Sequence, residues 1–314
     1  MTSFGIIGTG KHLPETVVTN DDLVKRGIDT SDEWIKTRTG IASRHIVDAH
    51  THTSHLAIKA AEEAIKNASI TKDEIDLIIV GTSTPDYGGF PSVATMVQKA
   101  LGIKNGPAFD ISAACTGFNY ALTTALTYCQ TGLAKNALVI GADCLTKLID
   151  WTDRSTCILF GDGAGAVILS QVTEKKGIIA SSLHANGEHT DILKVEKKGI
   201  YMEGKSVFKV AVQYFVPAVE KALESANLTK QDLTMLIPHQ ANIRIIEQAR
   251  KKLNLAPEQV MINIQKYGNT SAASIPIALA EANQNNRLKD NDILALVGFG
   301  AGFTWGVNLI RWGN

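Results

Sequence analysis

The chain has 314 residues, 45% of them hydrophobic and 20% charged, and its 31 basic residues cancel its 31 acidic ones. That describes a globular protein with ample core, in one large or two smaller domains. Without net charge there is no bulk field to gather nucleic acid or a membrane surface, and no apolar run approaches the length of a bilayer span.

The opening residues Met1-Thr2-Ser3-Phe4-Gly5-Ile6-Ile7-Gly8 lack the charged leader of a signal peptide and read as a first strand. The four cysteines, at positions 115, 129, 144 and 157, form no CxxC pair and no disulfide-framework spacing. That suits a reducing compartment, and the expected location is the cytoplasm. His45, His50, His52 and His55 lie in a polar stretch and read as solvated. His50 and His52 make an HxH pair with no cysteine or carboxylate cluster, so no metal site is expected.

Residues 60–79 read AAEEAIKNASITKDEIDLII: an amphipathic helix, a polar turn with Thr71 as a capping residue, then a short β run. Next comes Cys115, in the segment FDISAACTGF (109–118), where a strand-like run meets a helix-like one. The first N–H groups of a helix are unpartnered and partly positive, which favours thiolate, the nucleophilic form. A buried structural cysteine is the plain alternative, and a nucleophile needs a histidine and an orienting partner elsewhere. The helix from Asn119 to Cys129 is apolar almost all round and should be buried between layers. Leu77–Val80, Ala137–Ile140 and Ala166–Leu169 read as buried strands of βαβ-type units.

Sliding the sequence by 158 positions sets residues 60–79 on residues 218–237, AVEKALESANLTKQDLTMLI. Alanines coincide at 60/218, 64/222 and 68/226, and Thr71-Lys72 falls on Thr229-Lys230. Gly5-Ile6-Ile7 has a looser counterpart in Gly177-Ile178-Ile179, and the strand at Ala137 one in Ile293–Val297. A period this long is not a solenoid; it predicts two duplicated α/β halves, 1–172 and 173–314, stacked as five αβαβα layers around the buried helix. In the second half His239 directly follows a strand, the equivalent of Gly81 in the first. Asn269, in YGNTSAAS, opens a helix of small residues, where an N-cap is the plain reading. GFGAGFTWG (298–306) is a glycine-dense turn after a buried strand, able to bring backbone N–H groups to a reacting centre.

Taken together, DEWIKTRTGIASRH, DISAACTGF, TDRSTCILFGDGAGAV, VFKVAV, PHQANIRI, YGNTSAAS and GFGAGFTWG run end to end in this chain. In that order they resemble the β-ketoacyl-acyl-carrier-protein synthase III family, thiolase-fold enzymes that initiate type II fatty acid synthesis. The resemblance implies a catalytic triad of Cys115, His239 and Asn269, with an oxyanion hole from the backbone N–H groups of Cys115 and Ala301. Cys115 would take the acyl group of an acyl-CoA. Malonyl-acyl-carrier-protein would then lose carbon dioxide, and its carbanion would attack the acyl-cysteine. Acetyl-CoA is the first primer to expect, with longer or branched primers left open; no metal or redox cofactor is required.

By the same resemblance Trp34 and Arg154 clamp the adenine of CoA, Arg38 lies on the phosphate side, and Phe208, Ala241 and Asn242 line the pantetheine channel. Stacking on flat faces suits the first pair. Acyl carrier protein, an acidic partner, would meet Lys209, Gln240, Ala241, Asn242, Ile243, Arg244, Lys251 and Lys252. On that helix Ile246, Ala249 and Leu253 face inward and Arg250 is expected toward solvent. A homodimer is expected, with Phe90 walling the partner's acyl pocket; Gly88-Gly89 makes this loop about one residue longer than is usual in the family. Competing readings are a thiolase, which would want a second cysteine in the C-terminal half, and the longer-chained 3-hydroxy-3-methylglutaryl-CoA synthases and chalcone-synthase-like enzymes. A secondary-metabolic condensing enzyme with another primer or acceptor, and a non-catalytic acyl-CoA or carrier-protein binding module, complete the set.

Overall fold

A computed structural model describes residues 2–313. Its strands are β1 (Ser3–His12), β2 (Thr16–Thr19), β3 (Ser43–Ile46), β4 (Leu77–Gly81), β5 (Ala108–Ile111), β6 (Ala137–Cys144), β7 (Asp162–Val172), β8 (Gly177–Ala185), β9 (Leu193–Glu196), β10 (Gly199–Met202), β11 (Met235–Pro238), β12 (Ile293–Gly300) and β13 (Thr304–Arg311). The α-helices are α1 (Asn20–Lys25), α2 (Asp32–Thr39), α3 (Thr53–Ala68), α4 (Val93–Leu101), α5 (Gly117–Gln130), α6 (Arg154–Cys157), α7 (Gly204–Ser225), α8 (Ile243–Leu253), α9 (Ile264–Tyr267) and α10 (Ser274–Gln284).

Two sheets organise them. The first runs β1-β7-β6-β4-β5, the second β11-β12-β13-β8. In the first, β4 pairs in parallel with both β6 and β5, and the β6-β7 and β7-β1 ladders are antiparallel. In the second, β11 at the edge pairs in parallel with β12, and the β12-β13 and β13-β8 ladders are antiparallel. The repeat seen in the sequence is therefore a repeat of structure. The Thr71 turn closes a capping box with Glu74, the Thr229 turn closes one with Asp232, and each delivers its chain into the parallel strand of its sheet. The second sheet lacks a full counterpart of β5, which flanks β4. In its place Val260 makes a single parallel bridge to Leu236 of β11.

The layers follow from which faces are apolar. The alanine face of α3 packs with α4 on the outside of the first sheet, over Ile78, Ile140 and Ile168. On the outside of the second sheet, α7 and α8 cover Leu236, Ala295 and Leu309. Between the sheets lie α5 and α10, whose Phe118, Leu122, Ile275 and Leu279 meet Ile79 and Val139 from one side and Ile237 and Leu296 from the other. This is the expected five-layer thiolase-like arrangement, and α5 is buried because both of its faces have a sheet to cover them. Close approach is strict where α5 begins: a Cβ on Gly81 would stand 2.4 Å from the Gly117 carbonyl carbon. A fourth apolar cluster, built on Ile35, Ile41, Ile158 and Ile200, supports the segments around the site.

Candidate active site

Cys115 lies in the 3-10 turn Ala114–Thr116 that joins β5 to α5, with Ala114 in a left-handed conformation (φ 48°). The glycine-dense turn after β12 packs against it: a Cβ on Gly300 would come within 2.7 Å of the Cys115 backbone nitrogen. Thr304 holds the two turns together, its hydroxyl reaching the Ala113 and Ala301 carbonyls at 3.2 Å each. Ala301 thus sits in the turn beside Cys115, and both line one cavity of about 820 Å³.

His239 and Asn269 line the same cavity. His239 leaves the end of β11, its backbone N–H tied to Val297 O of β12 (2.8 Å), and its ring stands edge-on to Phe299 at 5.1 Å. Its Nδ1 meets the Ser274 hydroxyl at 2.7 Å. Asn269 is pinned on its backbone by Leu159 O (2.8 Å) and Gly161 N (2.9 Å). Its Oδ1 accepts the Ser271 N–H at 2.9 Å, which leaves the amide Nδ2 as the donor end. The cap positions themselves fall on Thr270 and Ala273, so Asn269 makes a local side-chain turn just before the helix and is not its N-cap. Three separate segments therefore converge, with exposures of only 9%, 1% and 6% for Cys115, His239 and Asn269.

That burial corrects the expected thiolate. Desolvation pushes the Cys115 thiol up to about 12 despite a hydrogen bond from Ser271, and the Asp143 charge adds to the rise. Desolvation likewise pushes His239 down to about 3. The resting site holds a neutral thiol and a neutral imidazole, because removing either ion from water outweighs the few helix N–H dipoles. A stability consequence follows. The unfolded chain takes a proton on this histidine near 6.5, whereas the folded one does not until about 3, so stability falls as pH drops through that window. Urea unfolding at pH 7.5, 6 and 5 should show this loss, and His239→Gln should flatten it. Equal slopes for both proteins would refute it.

Toward the outer part of the cavity, Trp34 is flanked by two guanidinium groups, Arg154 at 4.9 Å and Arg38 at 5.5 Å from its ring centre. Ser31 caps α2 through the Trp34 N–H (3.1 Å), which sets the indole at the rim. Arg154 is held by Asp29 O at 2.6 Å. Phe208 and Ala241 also line the cavity, and Arg244 lies over the Phe208 ring at 5.5 Å. Asn242, likewise in the lining, caps α8 through the Arg244 N–H and donates to Arg38 O (3.1 Å), tying α8 to α2. Lys209, Arg244, Lys251 and Lys252 are exposed.

Two expected surface positions are corrected, Gln240 and Arg250. Gln240 is 1% exposed and fully engaged, donating to Pro238 O and Met261 O and accepting from Asn263 N and Ile264 N; it braces the loop and offers nothing to a docking partner. Ile243 is half-buried against Gly40. Arg250 turns back to Glu247 and to Leu255 O, both at 2.9 Å, at the end of α8. Phe90 is 89% exposed and lies outside this chain's own cavity lining.

Several supporting residues escaped the sequence reading. Asp143, wholly buried on β6, accepts from Ser83 N (2.7 Å), the Thr84 and Thr82 hydroxyls (2.9 and 3.1 Å) and Ala272 N (3.2 Å). It fastens the loop after β4 to the turn before α10. The Ser271 hydroxyl hydrogen-bonds both Cys115 and Asp143. Arg44, also wholly buried, donates to Ile158 O at 2.7 Å and so steadies the segment that pairs with Asn269. A lone carboxylate inside the otherwise apolar ALVIGADC run was the one available signal. Among the described residues no three His, Cys, Asp or Glu side chains gather as a metal-ligand group, and no helix is long and apolar enough to cross a membrane.

The chain is similar to known proteins over nearly its whole length. Residues 109–187 match the family described as 3-oxoacyl-[acyl-carrier-protein (ACP)] synthase III, and residues 223–312 match its C-terminal family. The chain is 50% identical to β-ketoacyl-[acyl-carrier-protein] synthase III 1 of Bacillus anthracis over 310 residues, 99% of each chain. It is 50% identical over 311 residues to the corresponding enzyme of Listeria monocytogenes, again 99% of each. Among solved structures, 3-oxoacyl-[acyl-carrier-protein] synthase III from Aquifex aeolicus superposes with a TM-score of 0.96 at 48% identity, covering 99% of this chain and 100% of that one.

Proposed function

The chain belongs to the β-ketoacyl-acyl-carrier-protein synthase III family, and from that premise we propose how its own residues carry out the condensation that initiates fatty acid synthesis. The observation that carries the reading is the convergence of Cys115, His239 and Asn269 inside one cavity whose outer part presents Trp34 between two arginines. Identity of about one half over nearly the whole chain favours this role over a secondary-metabolic relative, and three intact polar groups in a water-poor site exceed what a binding module needs.

In the first half-reaction Cys115 Sγ attacks the thioester carbon of an acyl-CoA. The carbonyl oxygen, as it gains charge, lies toward the Cys115 and Ala301 N–H groups. CoA leaves as the thiol, and the cysteine proton ends on its sulfur. Because burial holds the thiol near 12, sulfur and proton part as the new bond forms, with no free thiolate kept waiting. In the second half-reaction the malonyl thioester loses carbon dioxide. His239 and the Asn269 amide donate to its oxygen, and the resulting enolate carbon attacks the acyl-cysteine, expelling Cys115 as a thiolate that regains its proton from solvent. No step draws on a metal or a redox group.

Acetyl-CoA is the proposed primer, with adenine between Trp34 and Arg154 and the pantetheine arm past Phe208, Ala241 and Asn242. Acyl carrier protein would dock at Lys209, Arg244, Lys251 and Lys252, whose charge opposes that of an acidic partner. Phe90, projecting 89% exposed, would reach a second copy in a homodimer. Incubation with acetyl-CoA and with longer and branched acyl-CoAs, without any acceptor, should add the acyl mass to the Cys115 peptide. Adding malonyl-acyl-carrier-protein should then discharge it as 3-oxoacyl product. An unmodified Cys115 with every primer would overturn the reading.

A further inference from the structure

Ser274 opens α10 and is 2% exposed, and its hydroxyl is placed between two partners. Nδ1 of His239 is 2.7 Å away, and the Gln240 backbone N–H donates to the same oxygen at 3.4 Å. A neutral imidazole carries one proton, on either Nδ1 or Nε2, and the partner of one nitrogen decides which. Here the partner can in principle give or take a proton, so the question is where the serine O–H can go.

The surroundings answer it. The Gln240 side chain, the nearest other polar group on that loop, is already committed: its carbonyl oxygen accepts from Asn263 N and Ile264 N, and its amide donates to Pro238 O and Met261 O. The Thr270 carbonyl, one turn back, accepts the Ala273 N–H. No other acceptor for the Ser274 hydroxyl is found among the described residues. Were Nδ1 protonated, Ser274 Oγ would receive both the imidazole N–H and the Gln240 N–H, and its own buried hydrogen would have no acceptor. A buried unpaired donor is costly, whereas donation to Nδ1 satisfies all three groups.

We propose that Ser274 is a positioning residue that donates its hydroxyl hydrogen to Nδ1 of His239, fixing the tautomer with the proton on Nε2 and so making the imidazole a hydrogen-bond donor toward the cavity. The inference rests on the functional reading above for its use, since a donor, not an acceptor, is what a developing enolate oxygen requires. Asn269 is set in the same manner, its Oδ1 taken by Ser271 N–H and its Nδ2 left to donate. Two turns of small polar residues at the start of α10 thus orient both donors, each by occupying the wrong end.

Nitrogen-15 NMR of the full-length protein, labelled at histidine and assigned with His239→Gln, reads the tautomer directly and without substrate. The wild type should show an unprotonated Nδ1 and a protonated Nε2. Ser274→Ala should lose that preference, and Ser274→Thr, which keeps the hydroxyl, should recover it. In parallel, Ser274→Ala should lower the decarboxylative half-reaction roughly tenfold or more while loading of Cys115 by acyl-CoA stays within about twofold. A wild-type spectrum with Nδ1 protonated, or an unchanged tautomer and unchanged condensation in Ser274→Ala, overturns the proposal. A wild-type protein with the expected spectrum but no condensation overturns the functional reading alone.

Discussion

Replacing Cys115 with alanine is expected to abolish acyl loading and to lower overall condensation by a factor on the order of 10⁴ to 10⁶, the range seen when an enzyme loses a covalent nucleophile. Nothing else in the site can take its place. Cys129, Cys144 and Cys157 are buried elsewhere and line no part of the cavity. Ser83, Ser155 and Ser271 do line it, but a serine hydroxyl needs a strong neighbouring base, and the only imidazole present is held near 3 by burial. Cys115→Ser should therefore fare little better than alanine. Intact-protein mass after incubation with acetyl-CoA, followed by steady-state rates with malonyl-acyl-carrier-protein, measures both effects. Acyl mass gained by Cys115→Ala would place the nucleophile elsewhere.

How much of this was legible in the chain depended on whether the deciding interaction was local. The Thr71 and Thr229 turns could be read because their capping boxes close within three residues, and they exposed the duplication that the two sheets bear out. Cys115 and His239 stood out as candidates because each sits at a strand end marked by its neighbours, whereas Asn269 read locally as a cap, and only the resemblance carried by the order of the motifs joined the three. The protonation state of Cys115 was not local. Whether helix dipoles or desolvation prevails depends on two sheets and the Gly300 turn closing over the sulfur, and these come from residues nearly two hundred positions away. Gln240 was misplaced similarly. As part of PHQANIRI it looks like the start of a surface helix, but its amide is the brace for Met261 and Asn263, which only the folded loop brings near. Arg250 shows the converse error, where a basic residue on a helix reads as solvated until its reach to the Leu255 carbonyl is seen. Asp143 is a single polar residue in an apolar run with no partner in its own neighbourhood, and Ser274 is one of several small polar residues in YGNTSAAS whose partner, His239, lies 35 positions away.

For His239→Ala the expected result is a split. Loading of Cys115 should persist within a few-fold, because in the proposed mechanism the oxyanion of that step would lie toward backbone N–H groups that the mutation leaves in place. Condensation should fall about 10²- to 10³-fold, equivalent to the 2.7–4 kcal/mol that one such donor contributes in a water-poor site. The neutral imidazole makes this argument sharper. A histidine held near 3 is too weak a base to drive Cys115 attack by taking its proton, so it has little to lose in the first half-reaction and a hydrogen bond to lose in the second. Asn269→Ala should show the same split. The double variant should fall short of the product of the two losses, since in the proposed mechanism both donors would serve one oxygen and removing either would let it drift from the other. Single-turnover measurement of acylation, alongside release of carbon dioxide from malonyl-acyl-carrier-protein, separates the steps. If His239→Ala slowed acylation and decarboxylation equally, the imidazole would be acting on the thiol after all, and the division of labour between a cysteine that carries the acyl group and two donors that hold the enolate would have to be abandoned.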